Sequence, residues 1–436
     1  MYINQSQLTD EKQLSEASKE QAERFDVAMI GLGYIGLPTA AVIARAGLSV
    51  RGVDISERIV DLVNQGKVHI QETDLDALVK NVVTDGMLTA STEPPVADIY
   101  LIAVPTPFGE DKSPDVSMVL DAARLIAPVL PVGGCVILES TSPVGTTQQV
   151  AGVLAEMRPD LAIPGHCGDK APDVHIAYCP ERVLPGKIIE ELVANDRVVG
   201  GMTKACARHA QEFYTRFVRG DCIETSAGVA EMVKLTENSF RDVNIAFANE
   251  LSLVAEHMGI DVWEVIRLAN RHPRVNVLQP GPGVGGHCIA VDPWFLVSSA
   301  PEQARLIRTA REVNDAKPEH VIGRLNAMLA AAPDAKIALL GLAFKPNIDD
   351  FRESPALEIA QRIASEHGGR VLVVEPYTDE LPAAMAGSGA VLTTYDKAMA
   401  EAELVGVLVD HDAFRSAPRY LSAGKIVYDT RGMWAQ

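Results

Sequence analysis

The sequence predicts an α/β protein: two doubly wound parallel-sheet domains joined by a long central helix and a helical region. Three observations carry this expectation. Short apolar strands alternate with helical patterns at both ends of the 436-residue chain. A stretch over 229–258 keeps apolar residues at helical spacing without a break. A glycine-rich turn links the first strand to the first helix.

The elements follow in order. Residues 1–24 are polar and mixed in charge, without the apolar core of a signal peptide. They read as an extension with a short helix at 11–22. A strand at 26–30 runs into Gly31-Leu-Gly-Tyr-Ile-Gly36, and a helix at 37–46 is stopped by Gly47. A second strand, 49–53, ends at Asp54, and further strands read at 99–104 and 136–140. The long helix repeats Met232, Leu235, Phe240, Val243, Phe247, Leu251 and Val254 as its apolar face, and Gly259 closes it. Helices follow at 263–270 and 303–314. A second α/β region has strands at 336–340, 370–374, 404–409 and 425–428, with a helix at 355–366. The expected segments are 1–24 (extension), 25–225 (first sheet), 226–325 (helical, dimer-forming) and 326–436 (second sheet).

Charge narrows the class of function. Lys plus Arg number 39 against 58 Asp plus Glu, a formal net charge of −19. Nucleic-acid binding needs a basic face, and a polybasic membrane anchor needs basic clusters, so both are excluded as expectations. No run of 18 apolar residues occurs, so membrane insertion is not expected. Six cysteines are sparse and lack a Cys-x-x-Cys pair, which points to a reduced, cytoplasmic setting and no metal.

Four groups of residues carry chemistry. Gly31, Gly33 and Gly36 have G-x-G-x-x-G spacing between a strand and a helix, the Rossmann-like arrangement for a dinucleotide pyrophosphate. Asp54 ends the next strand, where a carboxylate accepts from ribose hydroxyls and repels a 2′-phosphate, so NAD is the expected cofactor. Lys234 and Asn238 share a helix face. The loop Gln279-Pro-Gly-Pro-Gly-Val-Gly-Gly-His-Cys288 offers backbone N–H groups from Gly281, Gly283, Gly285 and Gly286, and an accessible thiol beside His287, with Asp292 four residues on. Phe344, Lys345 and Arg352 follow one strand end and Arg431 another, a local anion site in an acidic protein; Arg241, His272 and Arg274 add positive groups. The plainer readings remain open: a cofactor-free turn, a solvated lysine, a buried structural cysteine, and surface pairing with Asp349, Asp350 and Glu353.

The ordered series Gly31-Leu-Gly-Tyr-Ile-Gly-Leu-Pro38, Val104-Pro-Thr-Pro107, Glu139-Ser-Thr-Ser-Pro-Val144, Cys179-Pro-Glu-Arg182, Lys234 with Asn238, Gly285-Gly-His-Cys288 with Asp292, and Lys345 with Arg352-Glu-Ser-Pro355 resembles the nucleotide-sugar 6-dehydrogenases, the UDP-glucose and GDP-mannose dehydrogenase family. The resemblance covers about residues 26 to 434. It implies a four-electron, NAD-dependent oxidation of a UDP-sugar at C6 with Cys288 as nucleophile. It also implies Lys234 and Asn238 at the oxyanion, and Asp292 and Glu181 orienting or activating water. Gly31, Gly33, Tyr34, Ile35, Gly36, Asp54, Thr106, Thr141 and Thr147 would hold NAD. Arg182, Val183, Lys234, Asn238, Arg241 and Gly285 would line the sugar site, and Phe344, Lys345, Arg352 and Arg431 the UDP site. His272 and Arg274 would act across a homodimer or larger homo-oligomer. Family members acting on glucose carry Ser where His287 stands and Glu where Pro185 stands. These departures, with the stretch from Arg267 to Trp294, imply a UDP-N-acetylhexosamine, UDP-N-acetyl-D-mannosamine foremost. A two-electron β-hydroxyacid dehydrogenase is the competing enzyme class; it needs neither the cysteine loop nor the second sheet.

Overall fold

In the computed structural model, residues 24–70, 72–109, 112–184, 186–286, 288–418 and 423–434 are described. The expected helix at 11–22 lies outside the described residues, as do His287 and Pro185. The described residues up to Leu235 form one compact unit and those from Thr236 another; the division falls within the long helix.

The first unit is built on an eight-stranded sheet: β1 (Phe25–Ile30), β2 (Val50–Val53), β3 (Leu88–Ser91), β4 (Ala97–Ile102), β5 (Cys135–Leu138), β6 (His175–Tyr178), β7 (Arg197–Gly201) and β8 (Cys222–Ser226). Their spatial order is β3-β2-β1-β4-β5-β6-β7-β8. Val27 and Met29 of β1 enter one core, Ala28 and Ile30 the other. A strand buried on both faces therefore reads as a continuous apolar run rather than an alternating one. The order from β3 to β6 is the doubly wound nucleotide-binding arrangement, with its switch point between β1 and β4. One feature departs from the all-parallel expectation. β7 pairs antiparallel with β6, and β8 then runs parallel to β7. The connection from β6 holds only the seven-residue helix Ile188–Ala194, and β7 runs back alongside β6.

The second unit carries a five-stranded, wholly parallel sheet: β9 (Ile337–Leu340), β10 (Val371–Val374), β11 (Val391–Leu392), β12 (Leu404–Val407) and β13 (Ile426–Asp429), in the order β11-β10-β9-β12-β13. Ile337 and Leu339 face one core, Ala338 and Leu340 the other.

Two helices correct the sequence reading. The helix expected at 303–314 runs from Arg305 to Ala331 with Pro318 inside it. Proline cannot donate to the carbonyl four residues back, yet the helix continues because Val321, Ile322, Leu325 and Leu329 bury an apolar stripe in the second unit's core. The long helix, Ala227–Met258, exists as expected, but of its expected apolar face only Leu235 is buried, with Val243 and Leu251 half-buried. Phe240 is 70% exposed and Phe247 55%, with Met232 and Val254 also exposed. Buried instead are Glu231, Lys234, Ser239, Asp242 and Asn249. At about 100° per residue, Glu231, Lys234, Asn238, Asp242 and Asn249 fall in one narrow wedge, and the exposed aromatics lie opposite.

Candidate active site

The β1 turn is tight toward the protein and open toward solvent. Gly31 has φ +93°, and a Cβ there would meet the Ala103 carbonyl at 2.5 Å. A Cβ on Gly36 would overlap the Gly31 carbonyl, so helix and strand approach only because both are glycine. Gly33 has nothing within 4 Å of where its Cβ would stand, the room a pyrophosphate needs at a helix N-terminus. Tyr34 and Ile35 are half-buried beside it. Asp54 accepts from Leu32 N–H at 3.0 Å and Ser56 N–H at 2.9 Å, one bond per carboxylate oxygen. Each oxygen keeps a lone pair for a ribose hydroxyl. These residues fit a dinucleotide. Thr106 donates its hydroxyl to the Thr141 carbonyl at 2.6 Å. Thr147 is enclosed: its N–H and hydroxyl both donate to Glu231 Oε1, at 2.8 and 2.6 Å, while Gly145 N–H donates to Oε2 at 2.7 Å.

Lys234 is buried, and its ammonium donates to the Glu181 main-chain carbonyl at 2.8 Å. A solvated lysine is thereby set aside. The Glu181 carboxyl has one oxygen buried without a hydrogen-bond partner. Burial pushes its pKa up to about 7, against the opposing pull of the Lys234 and Arg197 charges. Behind it lies a buried group in which Tyr214 donates to Glu139 at 2.7 Å and Arg197 sits 5.5 Å from the Tyr214 ring. Arg182 donates to the Asp196 carbonyl, and Val183 packs on the core.

In the second unit, Cys288 is exposed, and the other five thiols are buried or half-buried. Its carbonyl accepts from Asp292 N–H at 2.9 Å, which sets the two residues one turn apart at the start of the helix Asp292–Ser299. Asn238 donates to Asp292 Oδ2 at 2.5 Å. The glycine loop differs from the expected bed of exposed N–H groups. A Cβ on Gly283 would strike Pro355, one on Gly285 the Glu353 carbonyl and Phe344, one on Gly281 Arg431. Gly286 has φ +84° and lies against the Phe344 ring. The glycines are there because the loop is packed, as well as near a thiol.

A pocket opens at the carboxyl ends of β9 and β12, lined in part by Gly283, Phe344, Lys345, Pro355, Asp410 and Arg431. Strand order reverses between β9 and β12, so this is the switch point at which such sheets bind ligands. Arg431 is aimed by Asp410 at 2.7 Å and donates to the Pro280 carbonyl at 3.3 Å. Phe344, Lys345 and Arg431 are brought together as expected; Arg352 is not among the lining residues and clamps Asp350 instead, 2.6 Å away. A guanidinium two residues from a carboxylate pairs with it locally, the plainer of the two readings the sequence left open. Arg241, His272 and Arg274 are all exposed, and His272 Nδ1 accepts from Arg274 N–H at 3.3 Å.

The β9 turn repeats the β1 turn. Gly341 has φ +91°, and Glu375, ending β10, accepts from Leu342 N–H at 2.7 Å and Tyr377 N–H at 3.1 Å, as Asp54 does from Leu32 and Ser56. Here the acid is buried and pairs with the enclosed His411 at 3.2 Å, so this copy is closed where the first is open.

Three profiles of one family match in succession. The UDP-glucose/GDP-mannose dehydrogenase family NAD binding domain matches residues 25–218, its central domain 228–316, and its UDP binding domain 338–436. The chain belongs to this family. It is similar to the UDP-N-acetyl-D-mannosamine dehydrogenase of Escherichia coli (strain K12), 58% identical over 416 residues, 94% of this chain and 99% of that protein. It is also similar to the NDP-N-acetyl-D-galactosaminuronic acid dehydrogenase of Ralstonia nicotianae, 56% identical over 409 residues, 94% and 96%. Among solved structures it resembles UDP-D-ManNAc dehydrogenase from Pyrococcus horikoshii, with TM-score 0.81, 38% identity, and 94% and 96% covered.

Sequence reading passed over Glu231, Asp242, Asn249, Arg311 and Asp410. For the first three a weak signal existed: polar residues at 231, 234, 238, 242 and 249 repeat at helical spacing, although other polar residues such as Glu237, Arg241 and Glu250 on the same helix obscure it. Among the described residues no group of three or more His, Cys, Asp or Glu could hold a metal ion, and no helix is long and apolar enough to cross a membrane.

Proposed function

We propose that this family member oxidises the C6 alcohol of UDP-N-acetyl-D-mannosamine to the carboxylate. The observation that carries the reading is Cys288, an exposed thiol at the end of a packed glycine loop, one turn from an Asp292 held by Asn238. NAD, held by the Gly31–Gly36 turn and Asp54, supplies the hydride acceptor, and two equivalents account for the four electrons. The Cys288 thiolate adds to the C6 aldehyde and gives a thiohemiacetal; its oxidation leaves a thioester, which one water hydrolyses to the acid. Lys234 stabilises the oxygen that develops charge at C6. Glu181, with a carboxyl near neutrality, takes a proton from the attacking water. Asn238 and Asp292 orient the C6 oxygen. Phe344, Lys345 and Arg431 hold the UDP, and Arg182 and Val183 border the sugar.

The likeness to the galactosaminuronic acid enzyme supports a second reading, in which the sugar is another UDP-N-acetylhexosamine. NADH formation on a panel of UDP-N-acetylmannosamine, UDP-N-acetylgalactosamine, UDP-N-acetylglucosamine and UDP-glucose separates the two. The highest kcat/KM on the mannosamine compound, with two NADH per sugar, is expected. A higher value on another epimer moves the substrate; one NADH per sugar removes the thioester. The exposed row of Met232, Phe240, Phe247 and Val254 supports a homodimer or larger homo-oligomer along the long helix. Reduced thiols and NAD support a cytoplasmic setting.

A further inference from the structure

The loop that carries Cys288 is laid along one face of the long helix and tied to it by buried polar groups that no part of the mechanism above uses. Asn249 Oδ1 accepts from Gly281 N–H at 2.9 Å, at the start of the loop. Asp242 pairs with Arg311 at 2.5 Å, and Arg311 reaches the carbonyl of Ile289, the residue after Cys288, at 3.5 Å. Asn314 links the two ties, accepting from Asn249 at 2.8 Å and donating to Asp242 at 2.8 Å. Asp242, Arg311, Asn314 and Asn249 are all buried.

This is a poor arrangement for stability alone. A buried ion pair rarely outperforms an apolar pair of equal volume, because both charges lose their hydration. Here Asp242 Oδ2 and Arg311 Nε are buried without hydrogen-bond partners as well. Burial pushes the Asp242 carboxyl up despite the adjacent guanidinium. What two charges and two amides do supply is direction: Arg311 and Asn249 each fix one main-chain group of the loop, and Asp242 and Asn314 hold those two side chains against a rigid helix. The loop's glycines cannot fix it through side chains of their own.

We infer that Asp242 and Arg311, with Asn249 at the loop's other end, are positioning residues that set the place of the Cys288 thiol. The inference rests on the reading of Cys288 as nucleophile. The test measures Tm, kcat, both KM values and the iodoacetamide alkylation rate of Cys288 in the full-length enzyme. Arg311→Met strands the buried Asp242 carboxylate, besides breaking the bridge from Arg311 to the more exposed Asp315, and should lower both Tm and kcat. The double variant Asp242→Asn with Arg311→Met removes both charges, while the amide still accepts from Asn314. Its Tm should return toward wild type, yet kcat should stay at least about tenfold down with both KM values within about threefold, since small misplacements of a reacting group cost that much. Its Cys288 alkylation rate should also differ from wild type. Wild-type kcat and alkylation in the double variant would make the pair structural only and overturn the inference. Should the double variant not fold, Asn249→Ala cuts the other tie without stranding a charge; kcat down with unchanged KM supports the inference, and unchanged kcat sinks it. Alkylation is read without turnover. An active Cys288→Ser would therefore refute the nucleophile while leaving the positioning result legible.

Discussion

Replacing Glu181 by glutamine should stabilise the protein, and only above mildly acidic pH. The Glu181 carboxyl is raised from 4.5 to about 7 because burial strips its hydration, while Lys234 and Arg197 recover part of the loss. A folded-state pKa above the unfolded one means that the folded protein binds more protons between those values. Stability therefore falls as pH rises from about 4.5 to about 7 and is level beyond. At about 1.4 kcal/mol per tenfold change in proton affinity, the charged form costs roughly 3 kcal/mol by pH 8 and under about 1 kcal/mol at pH 5. Glutamine keeps the shape and removes the charge. For a unit of some two hundred residues, roughly 3 kcal/mol corresponds to about 6–12 °C in the transition of the first unit. Thermal unfolding of wild type and Glu181→Gln at pH 5 and pH 8 reads this directly. The variant should melt higher at pH 8 with the gap closing at pH 5, and thioester hydrolysis should fail in the same protein. A gap of equal size at both pH values, or none at pH 8, would refute the argument from burial.

Three further outcomes are expected. Cys288→Ser should lose at least about a hundredfold in turnover while both ligands still bind, because a hydroxyl is hardly ionised near neutrality; steady-state NADH formation with separate binding titrations checks it. Asp54→Asn keeps an acceptor for Leu32 N–H but removes the charge, so the NADP-to-NAD ratio of kcat/KM should rise about tenfold; an unchanged ratio would mean that the carboxylate does not face the ribose. Arg431→Ala should raise KM for the UDP-sugar well above the effect of Arg352→Ala, since only Arg431 lines the β9/β12 pocket; equal effects would place the pyrophosphate elsewhere.

How far the sequence could be read depended on whether a signal was local. The Gly31 turn, its acid at Asp54, and the strands β1, β9, β10 and β12 are written in contiguous runs, and each was found. The direction of β7 is not local: nothing in Arg197–Gly201 encodes that it runs antiparallel to β6. The helix expected at 303–314 falls short, because the apolar stripe from Val321 to Leu329 carries it on past Pro318 to Ala331. The long helix misled more deeply. Its apolar residues keep helical spacing, but Met232, Phe240, Phe247 and Val254 of that row are exposed, and the residues that hold the cysteine loop (Asn249 and, through Arg311, Asp242) and the Gly145–Thr147 segment (Glu231) are polar ones hidden opposite. For Arg352, charge alone left two readings open, a pocket arginine or one paired with a nearby acid, and the structure shows the pairing with Asp350.

The packed glycine loop bears on how this gene tolerates change. By composition, residues 279–286 look like a spacer, the kind of tract in which substitutions usually accumulate freely. Here Gly281, Gly283, Gly285 and Gly286 meet Arg431, Pro355, the Glu353 carbonyl and Phe344 respectively. No single compensating mutation can therefore relieve all four, and a library randomised across this stretch should return almost only glycine at 283, 285 and 286. Variation aimed at new sugars has to enter from the surrounding helices, leaving the loop itself as the fixed point around which a changed specificity is built.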